Sequence, residues 1–489
     1  MKAFFKDSAL WTLLAIVFVV NGLAMPKETY PGDPLAMREE SRAILEGHLN
    51  VPPEIATKFG DPGQFFVKNI RSGDYYSKYG LMNSVFFVPP LLLEKIFEGD
   101  VKALDAPSRT FYLNLNNWVW SLILAFFLYA LASLYTTHKA LRVAYVLLCF
   151  YATFQWSYLR AQSSEIFQLT LFAALSWLVL SAKHAGSKKS LSPPWFAMGW
   201  ALIWMLTGIR VVYVLLVPIY LWACLDLLRS PNESWSEVAL RVLRKNLMWG
   251  ILFGLLVGTV NFVKFGSPLL TGYHQWRPEI HALNGDWTES LYGLLFSAQW
   301  SLLIHFPLVL VAIWGYATFV RKWAFDATWS LSILGVFYVV VGKLPSWRGE
   351  ACYGPRYFLF IMPVLCLAAL PLMESWLREP RKCSSRVALG VGALVLGYSL
   401  FLQEQVNRRT FLAFYKLRDP VAQHMTQLTA WYYDGSHYGR VNWDFVRADG
   451  NMEPFEFWQQ LKKVTAPEPL EGYRKHIQQV LSTTNYYWF

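Results

Sequence analysis

Long apolar blocks with almost no charged residues are the feature that most constrains this chain. Two examples are the stretches 122–134 and 387–402. A block of about 20 such residues matches the roughly 30 Å hydrocarbon core of a bilayer. Only 16% of the 489 residues are charged, whereas soluble domains carry about 25%. The 23 tryptophans are typical of membrane interfaces. The sequence therefore predicts an all-α polytopic membrane protein.

About eleven transmembrane helices are predicted from these blocks. They are expected at 9–25, 114–137, 141–158, 164–182, 195–209, 211–227, 246–265, 301–320, 326–342, 357–375 and 386–403. The stretch 195–228 is long for one span and short for two, but the basic loops on both sides require an even number of crossings. It is interpreted as two short helices, or a re-entrant hairpin, with Arg210 at the turn.

The distribution of Lys and Arg predicts the orientation. Basic residues fill alternate short loops, which places the N-terminus in the cytoplasm. The predicted outer segments are 26–113, 266–300, 343–356 and the tail from 404. We expect a membrane domain at 1–403 and a small extracytoplasmic C-terminal region at 404–489. The location is the plasma membrane, or the inner membrane of a bacterium, with the working face outside.

The first outer loop, 26–113, is expected to contain interfacial helices. Asp33 suits an N-cap and Pro34 the first helical position, which predicts a helix to Gly47 that lies on the membrane surface. Asp33 is interpreted as a helix cap that is also placed to act as a general base. The run 85–97 is too short and interrupted for a span, so a second interfacial helix is expected there.

Cationic and aromatic residues are predicted to meet on the outer side. Lys78 either snorkels at the surface or binds an anionic lipid headgroup, and Arg356 either anchors the interface or grips phosphate. Charged groups at the rim of a membrane usually face a cavity. The predicted substrate-binding residues are Lys78, Tyr76, Tyr79, Arg160, Glu165, Arg210, Trp347, Tyr353, Arg356 and Tyr357. Together they suggest an anionic substrate embedded in the membrane.

Several classes of function are disfavoured. The histidines, including His274, His281 and His305, do not repeat a metal-ligand pattern, and the five cysteines have no metal or disulfide spacing. The chain has neither a phosphate-binding glycine loop nor a serine-nucleophile elbow. The net charge of +11 is spread over short loops, so nucleic acid is not an expected partner.

Several segments in order resemble a known group of enzymes. They are GDPLAMREESRAILEGHLNVP, YYSKYGLMNSVFFVPP, FGSPLLTGYHQ, SLYGLLFSAQWSLLIHFPLVLVAIWG and SWRGEACYGPRYFLFIMPVLCL. The resemblance, over about 9–375, is to GT-C fold glycosyltransferases of the protein O-mannosyltransferase and aminoarabinose transferase superfamily. It implies a polyprenyl-phosphate sugar donor and a glycan, lipid or protein acceptor met on the outer face of the bilayer.

The resemblance also implies roles for three residues. Asp33 would be the general base of an inverting transfer, while Lys78 and Arg356 would contact the donor phosphate. The chain departs from the family pattern where Asp33 lacks a second acidic neighbour and where Trp347-Arg348-Gly349 replaces Trp-Gly-Gly. These departures leave open the acceptor and the use of a divalent metal, Mg²⁺ or Mn²⁺.

Three alternatives share the same membrane architecture. A transporter or flippase of lipid-linked sugars would need internal repeats and mid-membrane charges, whereas here the charges gather at the rim. A glycan ligase or polymerase uses similar donors and stays open. The third alternative is a purely structural membrane scaffold, but that function would not explain the many charged residues in the first outer loop.

Overall fold

The structure, a computed structural model, describes residues 6–27, 33–57, 65–101, 107–186, 191–230, 232–276, 282–296, 301–347, 354–379 and 381–407. The first half contains α1 (Ser8–Leu23), α2 (Asp33–Leu45), α3 (Pro53–Ala56), β1 (Phe66–Lys68), β2 (Tyr75–Ser77), α4 (Leu81–Glu98), α5 (Pro107–Ala132), α6 (Lys139–Tyr151), α7 (Gln155–Arg160), α8 (Glu165–His184) and α9 (Pro193–Ile209). The second half contains a 3-10 turn (Val211–Leu215), α10 (Leu216–Leu228), α11 (Trp235–Phe265), α12 (Gly272–Gln275), α13 (Trp287–Phe296), α14 (Leu302–His305), α15 (Leu308–Lys322), α16 (Ala324–Val341), a 3-10 turn (Arg356–Phe358), α17 (Met362–Cys366), α18 (Ala369–Arg378) and α19 (Cys383–Asn407).

The apolar blocks form helices, as the sequence predicts. Among the described residues, six helical segments are long and apolar enough to cross a membrane: Phe111–Ala132, Glu165–His184, Val211–Leu228, Trp235–Phe265, Ala324–Val341 and Cys383–Glu404. The other predicted spans coincide with shorter or interrupted helices, such as α6 and α7 in place of 141–158. The protein is an integral membrane protein, and the predicted break at Arg210 between two short helices is confirmed.

The core of the bundle is built around α8. In its most apolar 18-residue window 83% of the residues are buried within the protein, whereas the same measure is 6% for α11. α5 packs along α8, and fully buried aromatic rings such as Trp329 and Tyr213 fill the space around them. α8 is thus surrounded by protein, whereas most of the surface of α11 is exposed and is expected to contact lipid.

Polar contacts gather helix ends on one side of the bundle. Asp7 caps α1 and pairs with Lys139 at 2.9 Å, which joins the start of α1 to the start of α6. The ends of α8 and α10 meet where Lys183 pairs with Asp226, and Asp326 at the start of α16 accepts a hydrogen bond from the Tyr135 hydroxyl. The basic loops predicted to share one face therefore lie together.

The first outer loop folds into helices that pack on the bundle. The predicted helix is present as α2, in which Asp33, predicted as the N-cap, is already helical, and the helix ends at Leu45 rather than Gly47. It does not simply lie on a membrane surface, because its charged residues Arg38, Glu39 and Glu40 are buried against neighbours that include α4. α4 runs through its two internal prolines and exposes apolar residues near its end, which suits the predicted second interfacial helix.

A small antiparallel hairpin corrects the all-α prediction. β1 pairs with β2, with Phe66 opposite Ser77. The turn is organised by Asn69, whose Oδ1 accepts the backbone N–H of Arg71 at 2.8 Å and whose Nδ2 donates to the carbonyl oxygen of Val263 in α11 at 2.8 Å. Strands of three residues are too short for the alternating pattern that identifies a strand in sequence. The hairpin is docked on the end of α11 and leads directly into Lys78.

Candidate active site

A carboxylate, Asp33, lies at the start of α2 among cationic and phenolic groups. The hydroxyl of Tyr79 donates a hydrogen bond to its Oδ1, and Arg356 Nη1 lies 3.7 Å from its Oδ2. Burial alone would raise the pKa of Asp33, but the charges of Arg356 and Lys78 and the Tyr79 hydrogen bond hold it below its usual value. Asp33 is therefore ionised at neutral pH, with 33% of its side chain still exposed.

Lys78 is held beside Asp33 by the hairpin and by aromatic rings. Its backbone N–H donates to the carbonyl oxygen of Phe65 at 3.0 Å. Its Nζ lies 3.3 Å from the ring centre of Trp276 and 5.1 Å from that of Tyr79, distances at which a cation is attracted to a ring face. The side chain is only 4% exposed. This ammonium group is therefore fixed in position and largely screened from water.

Two glycines allow the segment that carries Lys78 and Tyr79 to lie deep against its neighbours. A Cβ atom at Gly80 would stand 2.1 Å from the carbonyl oxygen of Gly208, near the end of α9. One at Gly272 would stand 2.4 Å from the Cα of Lys78. Real side chains do not tolerate such contacts with backbone, so larger residues at these positions would push the Lys78 segment away from α9 and α12.

A second chain of contacts leads away from Asp33 through Arg356. The ring centre of Tyr357 lies 5.4 Å from the guanidinium carbon of Arg356 and 5.4 Å from that of Arg210. Arg210 in turn pairs with Glu165 at 2.6 Å. Arg210, with this close carboxylate partner, is a neutralised cation. Arg356 stands at the Asp33 end of this chain of contacts, 3.7 Å from the carboxylate.

An apolar cavity adjoins these cations. Its volume is about 50 Å³, and its lining includes Lys78 and Arg210 at the polar end and Trp204, Val257 and Val260 on α9 and α11. The outer face of α11 is exposed and apolar along its length. The lining of this small cavity therefore includes both apolar side chains and the two cations Lys78 and Arg210.

The structure thus brings together seven of the eleven predicted site residues. They are Asp33, Lys78, Tyr79, Glu165, Arg210, Arg356 and Tyr357.

Arg160 makes different contacts from those predicted. Its Nε donates to the carbonyl oxygen of Ala24 at 2.5 Å, and its Nη1 donates to the carbonyl and side-chain oxygens of Asn407. It is 3% exposed. These bonds tie the end of α1 to the end of α19, so the described contacts of Arg160 hold helix ends together.

Two of the remaining predicted residues have described contacts outside the Asp33 group. Tyr76 pairs with Val67 across the hairpin, where burial and the nearby Asp74 raise the pKa of the Tyr76 hydroxyl. Trp347 is 4% exposed, and its ring occupies the space beside Gly293 in α13. Tyr353 lies outside the described residues.

Four residues of the site were not predicted from the sequence. Tyr273 packs edge-on against Tyr79, and Trp276 covers Lys78. Glu40 and Lys264 form a buried ion pair next to Tyr79. For Lys264 a pattern was present, because an ionisable residue at the end of an apolar block is rare and usually functional.

The groups around Asp33 do not suit a divalent metal. Among the residues that the structure describes, no three His, Cys, Asp or Glu side chains are grouped to hold a metal ion. The immediate neighbours of Asp33 are cationic, through Arg356 and Lys78, and would repel Mg²⁺ or Mn²⁺. No step of the chemistry below is assigned to a metal.

The geometry can support proton transfer next to a phosphate. An ionised carboxylate that is partly accessible can accept a proton from a hydroxyl or amine. Two cations beside it can stabilise negative charge on phosphate oxygens. One of these cations, Lys78, also lines the cavity with apolar walls.

Comparison with known proteins gives the fold. No protein-family model matches this sequence, and no curated protein matches it. The oligosaccharyltransferase of Archaeoglobus fulgidus, in a complex with Zn and sulfate, is similar with a TM-score of 0.52 and 11% identity over 87% of this chain and 57% of that chain. Its apo form gives a TM-score of 0.50 at 11% identity, over 88% of this chain and 60% of that chain.

A more distant likeness is to ArnT from Cupriavidus metallidurans bound to undecaprenyl phosphate, with a TM-score of 0.41 and 13% identity over 87% of this chain and 74% of that chain. This likeness is too distant to carry an argument. The chain spans less than two thirds of the length of the archaeal oligosaccharyltransferase. At this level of similarity the comparisons show the fold, and the chain has the GT-C fold expected from the sequence.

Proposed function

We propose that this protein is a membrane glycosyltransferase that moves a sugar from a polyprenyl-phosphate-linked donor to an acceptor on the extracytoplasmic face. One observation carries the proposal. An ionised, partly accessible carboxylate, Asp33, lies beside Arg356 and Lys78, and Lys78 also lines a cavity with apolar walls. The match to an oligosaccharyltransferase, an enzyme that transfers glycans, supports the same class of reaction.

In the proposed reaction Asp33 acts as the general base. Its carboxylate accepts the proton of the acceptor hydroxyl or amine while that group attacks the anomeric carbon. The bond between the anomeric carbon and the phosphate oxygen breaks, and its electron pair leaves with the polyprenyl phosphate. Attack from the face opposite the leaving group inverts the configuration at that carbon.

The cations act on the leaving group. Negative charge develops on the phosphate as the glycosidic bond breaks, and fixed donors stabilise it because they need no reorganisation. Lys78 is held by its aromatic neighbours and Arg356 stands next to the ring of Tyr357. The cavity wall on α9 and α11 is proposed to hold the first isoprene units of the donor.

The proposal includes the topology and the partners. The chain crosses the membrane about eleven times with its N-terminus in the cytoplasm, and the active face and the 404–489 region lie outside. A divalent metal is not assigned a role. The acceptor is a glycan, a lipid or a protein, and the sugar is a hexose or pentose.

The proposal is tested with purified protein in lipid nanodiscs and a panel of radiolabelled polyprenyl-phosphate sugars. We expect label to move from one donor to an acceptor and expect Asp33→Asn to abolish the transfer. Asp74→Asn removes an exposed carboxylate of the hairpin and should leave the rate unchanged. In sealed vesicles, intact labelled donor that crosses the bilayer without transfer would overturn the proposal in favour of a flippase.

A further inference from the structure

A fully buried ion pair lies at the point where α2, α4 and α11 meet. Lys264 Nζ is 2.7 Å from Oε1 of Glu40 and 3.0 Å from its Oε2, and both side chains are 0% exposed. The hydroxyl of Ser84 donates to Glu40 Oε2 at 2.6 Å. The pair joins residues 224 positions apart in the sequence, so it links the first outer loop to the end of α11.

Fold stability alone is a poor reason for such a pair. The loss of hydration of two buried charges often cancels their attraction, and replacement of a buried pair by apolar residues of similar volume is often neutral or stabilising. A buried pair is better explained by a geometry that it fixes. The further hydrogen bond of Lys264 shows which part of the protein this pair holds in place.

Lys264 makes one more bond, and that bond reaches the proposed active site. Its Nζ donates to the backbone carbonyl oxygen of Tyr79 at 2.6 Å. The hydroxyl of the same tyrosine donates to Asp33. Tyr79 is therefore held at its backbone by Lys264 and holds the proposed general base with its side chain.

We propose that Lys264 and Glu40 are positioning residues for the transfer reaction. Glu40 orients the Lys264 ammonium, Lys264 fixes the backbone of Tyr79, and Tyr79 aims the Asp33 carboxylate. The inference rests on the proposed function of Asp33. Lys78 contacts the ring of Tyr79, but its contacts with the rings of Trp276 and Phe65 lie outside this chain of bonds, so donor binding is expected to depend on the pair less than the chemical step does.

Three variants separate positioning from simple ion pairing. Lys264→Arg keeps both the charge and a donor for the Tyr79 carbonyl. The exchange of Glu40→Lys with Lys264→Glu keeps an ion pair, but a carboxylate at position 264 cannot donate to that carbonyl. The neutral pair Glu40→Gln with Lys264→Met removes both charges and leaves no buried charge unpaired.

The experiment measures kcat and KM for the donor in nanodiscs, on variants that elute as single species. Lys264→Arg should stay within about threefold of the wild type. The exchanged and neutral pairs should lose roughly 10- to 100-fold in kcat with KM changed by less than about threefold, because small displacements of a catalytic group slow chemistry. A wild-type kcat in either folded pair would overturn the proposal. If neither pair folds, the ion pair serves folding and the proposal is also overturned.

A structural measurement keeps this test independent of the proposed function. A cryo-electron microscopy map of the exchanged or neutral pair should show the Tyr79 hydroxyl out of hydrogen-bonding distance of Asp33. A retained bond would overturn the positioning role. Asp33→Asn is assayed alongside, and full activity of that variant would refute the proposed base while the map still decides whether the pair positions Tyr79.

Discussion

The hydrogen bond from Tyr79 to Asp33 gives the most direct chemical prediction. Replacement of Tyr79 by Phe removes the hydroxyl and keeps the ring, which packs against Tyr273. The remaining neighbours that lower the pKa of Asp33 are Arg356, Lys78 and Arg210. The pKa of Asp33 should therefore rise in Tyr79→Phe while staying in the acidic range.

The size of the shift follows from the bond that is lost. A hydrogen bond to a charged group contributes about 1.5–3 kcal/mol. Asp33 keeps 33% of its side chain exposed, and water then replaces part of the bond, so the lower end applies. The rise in the pKa of Asp33 should therefore correspond to the low end of this range of free energy.

The sign of the stability effect follows from the lowered pKa. Because the folded pKa of Asp33 lies below its unfolded value, the carboxylate stabilises the fold above about pH 4 and this contribution is lost as the pH falls through the folded pKa. Tyr79→Phe should therefore lower stability at neutral pH, by roughly 1 kcal/mol, and have less effect in acid.

The assay is the pH dependence of kcat/KM for donor transfer. Its acidic limb reports the general base of the free enzyme and should move to higher pH in Tyr79→Phe. Tyr398→Phe is the matched control, because Tyr398 is 66% exposed on α19. An acidic limb that is the same in Tyr79→Phe and the wild type would refute the assignment of Asp33 as the base.

Further predictions concern the donor site. Arg356→Met should raise KM for the donor by about 10- to 100-fold, since a charge-assisted contact to phosphate is lost; an unchanged KM in steady-state kinetics would contradict this. Val260→Trp should fill the cavity and raise the same KM, whereas Leu255→Trp, on the exposed face of α11, should not; equal values for both would count against the donor cavity. Gly80→Ala should lower stability by about 1–3 kcal/mol and reduce transfer, while Gly254→Ala, which meets no atom within 4 Å, should show no loss in thermal unfolding; a stable, active Gly80→Ala would contradict the close approach to α9.

Sequence patterns predicted the local parts of this molecule. Apolar blocks identify helices because a helix that contacts lipid or a buried core must carry apolar side chains. The two short helices on either side of Arg210 were predicted because the basic loops that flank this stretch require an even number of membrane crossings. The start of α2 at Asp33 follows from cap and proline preferences. The grouping of Lys78, Arg210 and Arg356 was predictable because the distribution of basic residues assigned all three to the same predicted side of the membrane.

What sequence could not show depends on contacts between distant segments. Glu40 and Lys264 are 224 positions apart, and the residues around each of them do not indicate which residue it will pair with. Arg160 stands at the same kind of block end as Arg210, but its bonds to Ala24 and Asn407 exist only after α1 and α19 have packed. The hairpin was missed because its strands have three residues each and depend on α11 for support.

The central claim is that Asp33 is the base of a glycosyl transfer from a lipid-phosphate donor. The most direct measurement is the single-turnover rate of sugar transfer by wild type and Asp33→Asn in nanodiscs, with donor binding measured on the same samples. We expect Asp33→Asn to bind the donor and fail to transfer its sugar, and we expect the wild-type product to have inverted anomeric configuration. A wild-type transfer rate in Asp33→Asn, or a product that retains the configuration of the donor, would contradict it.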